Sequence, residues 1–188
     1  IFINGRFLCR PVTGVERFAG SILGEIDTAL ASTHVSRFTV LAPQGVARPI
    51  WLKNICFENT GSRSGHAWEQ TDLWRASRDG VLVNLCNSGP VLHGRQLTVL
   101  HAALVYRHPE HFSRAYGTFH RLLGRLLAKR ANLATVSDFS RHELSKLLGV
   151  AADGIGLVPT AFDHGLGLAP DISVPKKFAP ATQPFFPF

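Results

Sequence analysis

Methionine is absent from all 188 residues, and the chain has only two tyrosines and three cysteines. It opens at Ile1 inside an apolar run, without the charged flank and cleavage site of a secretory signal, so residues upstream of Ile1 are expected. Cys9, Cys56 and Cys86 are odd in number and lack CxxC or Cys/His ligand spacing, which indicates neither a disulfide framework nor a zinc site and makes a reducing compartment the default. No apolar run approaches the roughly 20 residues that a transmembrane helix needs. The GxGxxG and GxxxxGK[ST] fingerprints are missing, as are HExxH and the GxSxG elbow. These gaps disfavour a nicotinamide dehydrogenase, a P-loop NTPase, a zinc protease and a serine hydrolase. Acidic residues are scarce, 13 against 20 Lys and Arg for a net charge of +7. Residues 101–150 hold eight basic side chains against three acidic ones, a concentration that points to an anionic partner.

A hydrophobic fraction of 45% with 18% charged residues is that of a soluble globular protein, long enough for one compact domain. The pattern predicts strands over Ile1–Asn4, Arg37–Ala42, Ile55–Glu58, Val81–Leu85, Leu97–His101, Leu133–Val136 and Ile155–Val158. Helices are predicted from Thr13 to about Leu30, over His66–Ser77 with Trp68 and Trp74 as anchors, over Phe112–Arg130 and over Asp138–Leu148. In the third of these, Phe112, Tyr116, Phe119, Leu123 and Leu126 repeat at helical spacing as the apolar face. Strands alternating with helices predict a mostly parallel α/β sheet covered on both faces, with ligands at the carboxyl ends of its strands. From Gly165 the chain is rich in Pro and Gly, and residues 165–188 are expected to be a linker and the stub of a further domain, leaving 1–164 as the folded unit.

Three junctions carry chemistry. Gly14 and Arg17 begin the first helix, His101 closes a strand, and Ser137, Ser140 and Arg141 open the last helix. Exposed amides beside a cation at a helix N-terminus suit an anion, and an ordinary capped helix is the other reading at both junctions. A histidine at a strand's carboxyl edge either meets a substrate hydroxyl or packs under a loop through a backbone hydrogen bond. Arg114, Arg121, Arg125 and Lys129 form a basic stripe along the third helix, suited to anionic lipid or simply solvated. Trp68, Trp74, Tyr106 and Tyr116 are either sugar-stacking or core aromatics. The spacings of the nine histidines show no compact His/Asp/Glu cluster, so no metal is expected.

The order of the landmarks is more specific than any one of them. They are Gly14-Val15-Glu16-Arg17, Gly65-His66-Ala67-Trp68-Glu69-Gln70, Asn84-Leu85-Cys86-Asn87-Ser88-Gly89-Pro90 and Val99-Leu100-His101. They continue through His108-Pro109-Glu110-His111-Phe112-Ser113, Thr135-Val136-Ser137-Asp138-Phe139-Ser140-Arg141 and Val158-Pro159. From Phe2 to about His164 the chain resembles the group 1 glycosyltransferases, retaining enzymes of the GT-B fold. The resemblance implies a Rossmann-like N-terminal domain that binds a glycan or lipid-linked acceptor and faces a second domain holding most of a nucleoside-diphosphate sugar.

On that resemblance His101 contacts the transferred sugar, and Gly14, Arg17, Ser137, Ser140 and Arg141 lie on the donor-phosphate side. Trp68, Glu69, Gln70, Asn87 and Ser88 meet the acceptor. No cofactor and no specific nucleic acid are implied; the location is cytoplasmic, with peripheral contact at the inner membrane face. The family's Glu-x7-Glu pair is absent, so this chain alone is expected to be inactive. Two departures favour the alternative of a noncatalytic α/β module or degenerate relative. Ala102 follows His101 where the family often has Asp, and Thr160-Ala161-Phe162-Asp163 replaces an Asn-Gly-x-Asp loop.

Overall fold

The computed structural model describes residues 1–32, 38–101 and 104–160. Ala102, the loop from Ala161 onward and the expected linker and stub at 165–188 lie outside these residues. Among those described, seven short strands pair in one sheet: β1 (Phe2–Asn4), β2 (Thr39–Ala42), β3 (Cys56–Asn59), β4 (Leu82–Asn84), β5 (Gln96–Val99), β6 (Asn132–Thr135) and β7 (Ile155–Leu157). Their order is β3-β2-β1-β4-β5-β6-β7, and every adjacent pair is parallel. The chain is therefore a Rossmann-like α/β protein, as its alternating pattern predicts.

Strand alternation sorts the core into layers. Ile3 and Val40 point to one face, where Phe18, Ala19 and Leu23 of α1 (Gly14–Leu30) meet Leu85, Val99 and Ala134. Their neighbours Phe2 and Leu41 point to the other face and pack with Trp68, Leu73 and Leu82. Leu100, Leu133, Leu144 and Ile155 extend the core beneath α6 (Asp138–Leu148). Both faces are covered, which is why the strands read as apolar runs rather than as half-polar ones.

Local chemistry sets the helix ends. Ser137 caps α6, its Oγ accepting the Ser140 amide at 3.1 Å, and Gly149 stops that helix in the left-handed region at φ 69°. The Glu16 carboxylate accepts from the Thr13 amide at 3.2 Å and from the Thr13 hydroxyl at the start of α1.

Two helices depart from expectation. The one predicted over His66–Ser77 is interrupted: α2 (Gly65–Trp68) runs into a π turn (Glu69–Leu73) before α3 (Trp74–Ser77). The wider turn lets Trp68, Glu69, Asp72 and Leu73 all face inward, and all four are buried. Trp74 is only half-buried. The short α4 (Leu104–Arg107) precedes α5 (Arg114–Ala128), whose buried face shares only Leu123 with the expected apolar repeat. Gly117, Leu123, Gly124 and Leu127 pack inward, while Phe119, Leu122 and Leu126 stay exposed. Gly124 explains part of the difference: a Cβ there would collide with the Tyr106 hydroxyl, so this glycine lies on the contact face.

Candidate functional site at the carboxyl edge of the sheet

The chain runs outward from β1 through β2 to β3, then returns to start again at β4. Strand order reverses between β1 and β4, and a parallel sheet opens a crevice at the carboxyl ends of such a pair. Here that crevice is filled by a buried polar network centred on Glu69, which is 1% exposed. Its Oε1 accepts from Asn4 Nδ2 at 2.8 Å, Ser88 Oγ at 2.8 Å and Arg6 Nε at 3.0 Å. His66 Nδ1 lies 2.8 Å from Oε2, and Arg6 also donates to Ser88 Oγ at 2.9 Å. Burial pushes the Glu69 carboxyl up, but the His66 hydrogen bond, the Arg6 charge and the Asn4 amide outweigh it. The group is held below the usual carboxylate range. Asn4 continues the network through the sheet, bonding Asn84 at 3.0 Å, which in turn donates to Gln96 and Thr98.

This geometry redistributes the residues expected to meet an acceptor. Trp68 is fully buried and donates its indole N–H to the Thr60 carbonyl at 2.8 Å, so it is a core anchor with no surface for a ligand. Glu69 and Ser88 are likewise buried and support the crevice wall from within. Gln70 grips the loop after β4, donating to the Gly89 carbonyl and accepting from the Val91 amide, both at 2.9 Å. Asn87 is half-buried with φ 59°, and its Oδ1 accepts the His101 amide at 2.7 Å. Arg6, Asn4 and His66 are the members that sequence reasoning missed. The signal for Arg6 was its place two residues after β1, at what proves to be the reversal point.

His101 sits one strand further along. Its Nε2 lies 2.8 Å from the Leu85 carbonyl and its ring stands edge-on to Phe18, with centroids 4.7 Å apart. A carbonyl only accepts, so Nε2 carries the proton in the neutral ring and Nδ1 is left as an acceptor. Burial pushes the His101 pKa down, which keeps the imidazole neutral. The structure thus contains the backbone-bonded histidine of the second reading, and the same ring also lines a cavity of about 210 Å³ with Asn87, Tyr106, Phe112, Tyr116 and His120.

Around the remaining expected residues the structure is more ordinary. Gly14 is exposed, and a Cβ added there meets nothing within 4 Å. Arg17 borders a second cavity of about 410 Å³ with Arg10, Glu16 and Trp51. Ser137 and Ser140 are engaged in the α6 cap, and Ser140 Oγ also reaches the His101 carbonyl at 3.4 Å. Arg141 pairs with Asp138, and its Nε is the one buried side-chain polar atom without a partner among the described residues. Contrary to the reading from histidine spacing, His108, Glu110 and His111 do form a compact group, their ligand atoms within 4.8 Å of one another and all three residues exposed. Proximity in a turn, not periodicity, creates it.

Along α5, Arg114, Arg125 and Lys129 are exposed and Arg121 half-buried, beside the exposed Phe119, Leu122 and Leu126. The helix contains no acidic residue. No helix of the described residues is long and apolar enough to cross a membrane. The chain matches no known family profile, and no curated protein matches it significantly.

Proposed function

We propose that this chain is the acceptor-side half of a retaining glycosyltransferase, which moves a sugar from a nucleoside-diphosphate sugar to a glycan or lipid-linked acceptor. The observation that carries the reading is the convergence of landmarks distant in sequence on one sheet edge. Asn4, Arg6, Glu69, Asn87, Ser88 and His101 come together at the carboxyl ends of β1, β4 and β5. In that reading Glu69 holds Arg6 and the loop after β4 in place, and Gln70 and Asn87 shape the acceptor side. A neutral His101 offers Nδ1 to a sugar hydroxyl.

Departure of a nucleoside diphosphate develops negative charge on its phosphates, which helix amides and cations stabilise. Gly14, with open space where a side chain would stand, and Arg17 serve that role at α1, and Ser137, Ser140 and Arg141 at α6. The exposed apolar and basic faces of α5 lie against anionic lipid at the inner membrane face, where a lipid-linked acceptor would be presented. Donor binding and catalytic carboxylates belong to a second domain, so the chain by itself binds acceptor without turnover.

The test is release of nucleoside diphosphate by the intact gene product from a panel of sugar nucleotides. Release that falls at least about 100-fold in His101→Ala supports the reading, as expected when a group acting on the reacting sugar is lost. No release from a folded, full-length protein would leave the noncatalytic α/β module as the better account.

A further inference from the structure

We propose that the cavity between His101 and α5 binds a single neutral pyranose ring of the acceptor, an inference that rests on the glycosyltransferase reading above. Its walls combine the two features that a sugar needs. Phe112 and Tyr116 stack nearly parallel, with centroids 5.4 Å apart and an interplanar angle of 13°, and Tyr116 lies 4.2 Å from the His120 ring. This aromatic wall suits the C–H face of a pyranose. Around it stand polar atoms that hydrogen-bond to no described residue: the Tyr106 hydroxyl, both ring nitrogens of His120 and Asn87 Nδ2. Donors and acceptors are both present, as a ring of hydroxyl groups requires.

Charge and size narrow the occupant. Among the described residues no carboxylate, ammonium or guanidinium lines the cavity, although the chain as a whole carries +7. Burial, reinforced by His66 and Arg6, pushes His120 down to about 4, and burial lowers His101, so both rings are neutral at pH 7. A phosphate or an acidic sugar therefore forms no ion pair with the lining side chains that are described. The cavity of about 210 Å³ is partly open to solvent and has room for a sugar ring. The site lies on the helical side of His101 and adjoins the Glu69 network through His66, whose ring stands 5.3 Å from that of His120, so it adds α4 and α5 to the acceptor side.

Saturation-transfer difference NMR on the 188-residue chain tests this, with methyl glucopyranoside, galactopyranoside and mannopyranoside as ligands and uridine and inorganic phosphate as competitors. Transfer to the ring protons of at least one glycoside is expected, with affinity about fivefold or more weaker in Tyr116→Ala and in His120→Ala. Tyr116 is 44% exposed, so its truncation leaves the fold intact. Thr118→Ala, exposed on the same helix and outside the cavity, leaves binding unchanged. The proposal is overturned if the folded chain saturates none of the glycosides, if both cavity variants bind as before, or if uridine displaces the glycoside. Glycoside binding without nucleoside diphosphate release by the full gene product would keep the pocket and remove the transferase. Release without glycoside binding would do the reverse.

Discussion

Replacing Glu69 by alanine removes the acceptor for four side chains at once: Asn4, Arg6, Ser88 and His66. The Arg6 side chain is only 13% exposed, so its guanidinium is left largely buried without its counter-charge. Breaking a buried pair from one side costs about 3–5 kcal/mol. That is a large share of the roughly 5–15 kcal/mol by which a domain is stable. Glu69→Gln keeps the shape and one carbonyl acceptor but loses the charge, and costs about 1.5–3 kcal/mol.

Urea unfolding measures both through the midpoint at constant slope. The pH dependence supplies an independent check. The folded carboxyl lies below its unfolded value of about 4.3. Its contribution is therefore complete above that value and lost as pH falls through the folded pKa. The deficit of Glu69→Gln relative to the parent should then narrow on acidification from pH 7 to pH 3. An alanine variant costing less than about 1 kcal/mol, or a glutamine deficit independent of pH, would refute the account of Glu69 as the pivot of the crevice.

A second buried carboxylate behaves in the same sense. Asp27 accepts the amides of Lys53, Asn54 and Ile55 at 2.8–2.9 Å, and although burial pushes its carboxyl up, these bonds hold it below the usual range. Asp27→Asn should cost about 2–3 kcal/mol at pH 7 in thermal or urea unfolding, a deficit that shrinks below about pH 3.9. Gly61→Ala should destabilise by about 2 kcal/mol or more in the same assay, because φ is 72° and the new Cβ would collide with the Asp72 carboxyl. Combined replacement of Arg121, Arg125 and Lys129 by Glu should weaken sedimentation with anionic vesicles at least tenfold, whereas unchanged binding would remove α5 as a lipid-facing surface.

Secondary structure was legible because its signals are local. Ser137 and Gly149 bracket α6 at the predicted residues, and each strand falls within one or two positions of its apolar run. The faces were less so. Along α5 the aromatic and leucine repeat has helical period, yet period alone does not say which stripe is buried. Gly124 decides that by admitting Tyr106, and a small residue carries no hydropathy signal. The π turn at Glu69–Leu73 was equally invisible, since it answers the need to turn Trp68, Glu69, Asp72 and Leu73 inward together.

What the sequence by itself determined is the alternation of strands and helices, the parallel α/β architecture and the positions of the strand-to-helix junctions, all products of caps, turns and periodicity within a few residues. Tertiary structure alone decided how the junctions meet. Strand order places β1 beside β4, so Asn4 and Arg6 reach Ser88 and Asn84 across more than 75 residues of chain, with Glu69 between them. Burial then separates Trp68, which the core claims, from Asn87 and His101, which remain at the cavity. Neither result has a local signature, because strand order and burial are properties of the packed sheet as a whole.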